Sequence, residues 1–286
     1  MRFYIPLLYS VKVKKPNKSY FLRNIIGEDF IILLLTFAYD SIYFWQTTII
    51  LFLLQISFWC IYELGYIEND KIGKKFEDKP ILYCDYDSYE YSALWQHWGL
   101  SFSLSAIAIF FIYFNFEDII NLTFNLDSDR LLNITKNYLF WIAFLIILRF
   151  IFYIYNHINK QSRVWFYLLL QTCRYCGYLI LFTVNIVSLM FLISKIATRS
   201  IQYILYRYIG GNSNSWPINF PRYFFYLLIF ILLTGLIAIN ERNLSLILNY
   251  QSLIIAIFCF TRGYKHFQKV FWQFVSVEKD GSSQIN

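Results

Sequence analysis

Residues 30–66 run through Phe, Ile, Leu and Trp with two charged side chains, Asp40 and Glu63. A hydrocarbon core about 30 Å thick needs about 20 apolar residues per helix, within a range of about 17–25. This stretch is too long for one crossing, and Gln46-Thr47-Thr48 divides it into a predicted hairpin of two helices. The same alternation of charge-free runs and polar joints continues, predicting helices near 97–114, 138–155, 223–239 and 244–260. Residues 164–194 read either as one tilted helix or as two short ones bent near Arg174 to Gly177 or further on.

Charge decides between those two readings. Two passes put Lys160, Arg163, Lys195, Arg199, Arg207, Arg222, Arg262 and Lys265 on one side, as the positive-inside tendency favours. The expectation is an all-α, polytopic transmembrane bundle of about eight helices, treated as a single domain over 1–286. Residues 1–28 form a basic cytoplasmic segment, and 276–286 a frayed polar tail. The N-terminus lacks a signal-peptide core and cleavage site, which predicts that it is kept.

Composition supports this class. The chain is 58% hydrophobic and 15% charged, against about 45–50% and about 25% for soluble domains. Lipid is the medium that accepts such a surface. The net charge of +7 lies at segment ends, which suits headgroups and argues against a nucleic-acid partner. The predicted location is a cell inner membrane or an organellar one. Cys173 and Cys176 have C-x-x-C spacing, but no second pair or His cluster completes a zinc site.

Charged groups inside apolar helices are costly and mark polar interiors. Asp40 and Arg149 lie near helix ends, where water or headgroups are within reach. Glu63 and Asp70 stand seven residues apart and share a helix face, with Glu77 a further seven on if the helix persists. Oxygen ligands on one face at a membrane boundary are what Mg²⁺ requires, and that ion can hold a diphosphate. Interleaved Lys71, Lys74 and Lys75 equally fit a solvated, mixed-charge helix end.

The stretch Asn69-Asp70-Lys71-Ile72-Gly73-Lys74-Lys75-Phe76-Glu77, then Lys79-Pro80, resembles the aspartate-rich motif N-D-x-x-D-x-x-x-D of the UbiA superfamily of intramembrane prenyltransferases. Asn69 and Asp70 match, Glu77 fills the third acidic place, and Gly73 departs at the second. Arg23-Asn24 and the Arg174 to Gly177 pattern are similar to other family features. The family's second acidic motif has no counterpart in 195–222, which carries no Asp or Glu. The resemblance implies prenyl transfer within the bilayer from a prenyl diphosphate. It implies metal binding by Asp70, Glu77 and Glu63, with Asn69 orienting them. It also implies phosphate contacts from Lys71, Arg174, Lys195 and Arg199. The competing expectations are a non-catalytic scaffold or complex subunit, and behind it a transporter.

Overall fold

The computed structural model describes residues 3–14, 21–76, 86, 93–115, 130–159, 161–208 and 222–264. Among the described residues the secondary structure is helical, without a β-strand. In lipid a helix satisfies its own backbone, which makes it the economical element for so apolar a chain. The chain forms two compact units, Met1–Val184 and Asn185–Asn286. Among the described residues four helices are long and apolar enough to cross a membrane, as a polytopic membrane protein requires.

In the first unit a short turn, Ser10–Lys14, precedes a helical run over 21–38, named α1. Wide π-type turns at Phe21–Phe30 and Leu34–Ala38 flank one α-turn at Ile31–Leu33. Then come α2 (Phe44–Phe76), α3 (Leu94–Asn115), α4 (Arg130–His157) and α5 (Arg163–Cys176). The reversal between α1 and α2 falls at 39–43, around the exposed Asp40, and not at Gln46-Thr47-Thr48. Those polar residues sit inside the start of α2 because their hydroxyls find local acceptors. Thr48 Oγ1 donates to the Phe44 carbonyl at 2.7 Å, and Thr47 Oγ1 lies 2.8 Å from Ser41 Oγ.

Helix α2 is 33 residues long, about 50 Å at 1.5 Å per residue, so its end reaches past a hydrocarbon core. It is also the centre of the unit. Its apolar stretch is mostly buried, whereas α3 and α4 expose most of theirs outward. Phe58, Tyr62, Trp141, Phe144, Phe152 and Tyr178 fill the space around it with ring contacts. Small polar residues bring helices together where no hydrophobic drive exists in lipid. Ser57 and Ser101 exchange hydroxyl-to-carbonyl bonds of 2.9 and 2.8 Å, and Trp141 Nε1 donates to Ser57 Oγ at 3.2 Å.

Gly65 lets α4 approach α2 closely, since a Cβ there would overlap the Phe152 ring. Gly65→Ala is therefore expected to cost about 1–3 kcal/mol through overpacking. Thermal unfolding in detergent checks it, and an unchanged midpoint would contradict the close approach.

Helix α5 ends at Cys176, within the stretch where the sequence allows a break. A 3₁₀ turn, Gly177–Ile180, follows α5 directly, and a Cβ at Gly177 would meet the Phe144 ring. At 14 residues α5 is about 21 Å long. In the second unit come α6 (Ile186–Tyr208), α7 (Arg222–Asn240), a 3₁₀ turn at Leu244–Leu246 and α8 (250–264). Asn185 Oδ1 accepts from Ser188 N at 2.7 Å and so caps α6. Helix α6 runs on past Ser194, where the predicted apolar run ends, so Lys195, Arg199 and Arg207 are helical residues. Phe191 of α6 packs against Tyr226 at 5.0 Å and Phe258 at 6.4 Å between ring centres.

Candidate functional site

Glu63 and Asp70 of the predicted acidic face lie on α2, because the helix continues unbroken through Asp70 to Phe76. Glu63 is fully buried and Asp70 is 5% exposed. Both meet the same neighbour, the segment 3–14. Glu63 Oε2 accepts from Tyr4 Oη at 2.9 Å and Leu7 N at 3.0 Å, while Oε1 accepts from Ser10 N at 2.7 Å. Asp70 Oδ2 accepts from Tyr9 Oη at 2.7 Å. Asn69 Nδ2 lies 3.4 Å from Asp70 Oδ1, a long and weak contact that nevertheless sits beside the acid.

The segment is held in other ways as well. Tyr4 N donates to Gln96 Oε1 at 2.8 Å, and its ring stacks on His97 at 3.6 Å between centres. Burial, and then the Glu63 charge, raise the Tyr4 phenol above its ordinary value, so it stays a donor at neutral pH. Leu7 takes a φ of 66°, a left-handed turn that aims its N–H at Glu63. Tyr9 and Val13 pack with Ile67 and Tyr86 beside Asp70. Glu63 thus has a task the sequence does not assign it: it ties the basic N-terminal segment to α2.

Arg174 forms a buried ion pair with Asp29 of α1, and Tyr175 Oη donates to Asp29 Oδ1 at 2.8 Å. Its guanidinium also lies 4.8 Å from the Trp59 ring and 5.6 Å from Tyr62. Cation–π attraction of this kind offsets part of the desolvation. Its Nε is buried without a hydrogen-bond partner. Arg149 pairs with Glu68 at 2.7 Å, and Asn156 Nδ2 donates to the same carboxylate at 2.9 Å. The expected reach of Arg149 to headgroups is corrected here: a half-buried carboxylate on α2 holds it instead.

Lys71 is exposed on α2, and Glu77 lies outside the described residues. Lys195 and Arg199 belong to the second unit. That unit also has an open apolar cleft of about 570 Å³ between α7 and α8, lined by residues such as Phe230, Thr234 and Leu253.

Among the described residues no group of three or more His, Cys, Asp and Glu gathers around one point. Glu63 and Asp70 are two turns apart, about 10 Å along the axis, too far to share one ion. Mg²⁺ is commonly held by one or two carboxylates together with phosphate oxygens and water. Asp70 is the single carboxylate that such a mode would need, with its Oδ2 already accepting from Tyr9 Oη, whereas Glu63 is enclosed by three donors. Cys60, Cys173, Cys176 and Cys259 are free thiols, so the C-x-x-C pair forms no disulfide.

Asp29, Tyr4 and Tyr9 are the polar partners that the sequence reading misses. The signal for Asp29 is visible in Gly27-Glu28-Asp29-Phe30, two acids placed directly before an apolar run. No family model matches the chain, and neither the curated proteins nor the solved structures contain a match.

Proposed function

We propose that the chain is a divergent UbiA-like membrane prenyltransferase, moving an isoprenoid chain from a prenyl diphosphate to an acceptor. The observation that carries this reading is the burial of Asp70. It sits enclosed at the rim end of α2 with Asn69 beside it, not turned to bulk water. In this reading the chain crosses the membrane about eight times with both ends cytoplasmic. Asp70, joined by Glu77, holds Mg²⁺ on the diphosphate, and Asn69 orients Asp70. The ion would supply charge neutralisation on the departing diphosphate. Lys71 adds a cation on the same helix, and Arg174 sets positive charge within the aromatic interior.

A second reading, a non-catalytic multi-pass subunit of a membrane complex, is favoured by a different observation. Arg174 and Asp70, two residues the transferase reading uses, already have partners within the chain. Calorimetric titration of farnesyl diphosphate into the full chain in nanodiscs separates the two. The transferase reading expects Mg²⁺-dependent binding that Asp70→Asn weakens at least about tenfold, since each charge-assisted contact is worth about 1.5–3 kcal/mol. Equal binding by the variant, or none by either protein, favours the subunit.

A further inference from the structure

Asp70, the acid that the transferase reading needs, is covered by the chain's own N-terminal segment. Tyr9 Oη donates to Asp70 Oδ2 at 2.7 Å, and the Tyr9 side chain has no exposed surface. Asp70 itself is 5% exposed. A magnesium ion demands a near-octahedral shell of oxygen ligands, several of them water or phosphate. Such a shell needs open space at the carboxylate. Segment 3–14 and a diphosphate-borne ion therefore compete for the same place.

Most of what holds the segment lies away from Asp70. Glu63, two turns back along α2, accepts from Tyr4 Oη at 2.9 Å, Leu7 N at 3.0 Å and Ser10 N at 2.7 Å. Tyr4 N donates to Gln96 Oε1 at 2.8 Å, and the Tyr4 ring stacks on His97 of α3. Leu7 is kept at a φ of 66°, where its Cβ crowds the backbone, so the bonds to Glu63 hold a strained turn shut. Beside Asp70 the segment adds a small apolar contact, Tyr9 and Val13 on Ile67 and Tyr86. Phe3, Ile5 and Lys12 face outward. A short piece of chain held by a few hydrogen bonds and one small cluster can open as a unit while the helices stay folded.

The donors that the segment offers these two acids are neutral phenols and amides. They satisfy the carboxylate oxygens without cancelling the charge of Asp70, whereas a divalent ion does both. Ion binding at Asp70 thus favours the open segment. By linkage the effect is reciprocal, so loosening the segment strengthens ion binding as the open fraction rises.

We propose that segment 3–14 is an autoinhibitory strap, buckled on Glu63, that closes over Asp70 through Tyr9 and must open before a diphosphate-borne divalent ion binds there. The proposal rests on the transferase reading of Asp70 and adds the device that controls access to it. It also gives Glu63 the task of an anchor in place of a metal ligand.

Hydrogen exchange and calorimetric titration of the full chain in nanodiscs test it, with Mg²⁺ and farnesyl diphosphate as the probe. The two together should raise exchange over 3–14 at least about fivefold, while either alone leaves it unchanged. Tyr4→Phe, which keeps the ring on His97, and Glu63→Ala both loosen the strap at a distance from Asp70. They should tighten binding by about threefold and at least about tenfold. Binding by these variants and not by the wild type also supports the strap. Wild-type binding that Asp70→Asn abolishes, with protection over 3–14 unchanged and affinity equal in both variants, overturns the strap and leaves the transferase reading standing. Protection that increases with the probe, or variants that bind more weakly, makes the segment part of the binding site and overturns the strap as well. No Asp70-dependent binding in any of these proteins overturns the transferase reading, and the strap with it.

Discussion

Asp29→Ala is expected to destabilise the first unit by about 3–5 kcal/mol, the usual cost of stranding one partner of a buried ion pair. Arg174 is 8% exposed and Asp29 3%, so water does not replace the lost charge. Tyr175 Oη loses its acceptor in the same step. The rings of Trp59 and Tyr62 keep attracting the stranded guanidinium, but they cannot neutralise it. Replacing both partners by apolar residues of similar size removes the stranded charge. Asp29→Leu/Arg174→Met should therefore be less destabilised than Asp29→Ala. Thermal unfolding of the three proteins in detergent reads the difference, and a loss below about 1 kcal/mol for Asp29→Ala contradicts a buried pair.

Glu63→Ala should release the N-terminal segment from α2. Its carboxylate accepts from one phenol and two backbone N–H groups, at 2.7 to 3.0 Å. Removing it leaves the Leu7 and Ser10 amides without their acceptor in a buried site, at about 1–3 kcal/mol for each. The left-handed turn at Leu7 then loses the contact that compensates its strain. Hydrogen exchange over 3–14 should rise toward that of an open chain, with α4 and α5 little changed. Glu63→Gln keeps one acceptor oxygen and should fall between. Protection over 3–14 that survives in Glu63→Ala would show that Tyr9 on Asp70 and Tyr4 on His97 hold the segment unaided.

Much of the fold is legible because lipid imposes a length rule on apolar runs. The helices near 97–114 and 223–239 appear within a few residues of α3 and α7, whereas α4 starts at Arg130, well before the predicted 138. Helix ends are less legible where charged residues lie on a helix. Stopping at Ser194 treats Lys195 and Arg199 as loop residues, whereas α6 carries both and turns Lys195 onto aromatic rings. The shared face of Glu63 and Asp70 follows from helical spacing alone. What covers that face does not, since its partners stand 53 to 61 residues away in sequence. Spacing reports neighbours along one helix and is blind to a returning segment. The same limit hides Asp29 from Arg174, 145 residues apart.

Manganese can replace magnesium as a paramagnetic reporter, so electron spin resonance of Mn²⁺ tests the proposed ion at Asp70 most directly. The full chain in nanodiscs with farnesyl diphosphate should draw more Mn²⁺ out of the free-ion signal than farnesyl diphosphate with empty nanodiscs, and Asp70→Asn should abolish that excess. An identical excess in both proteins, or none in either, would contradict Asp70 as the acid that holds a diphosphate-borne ion.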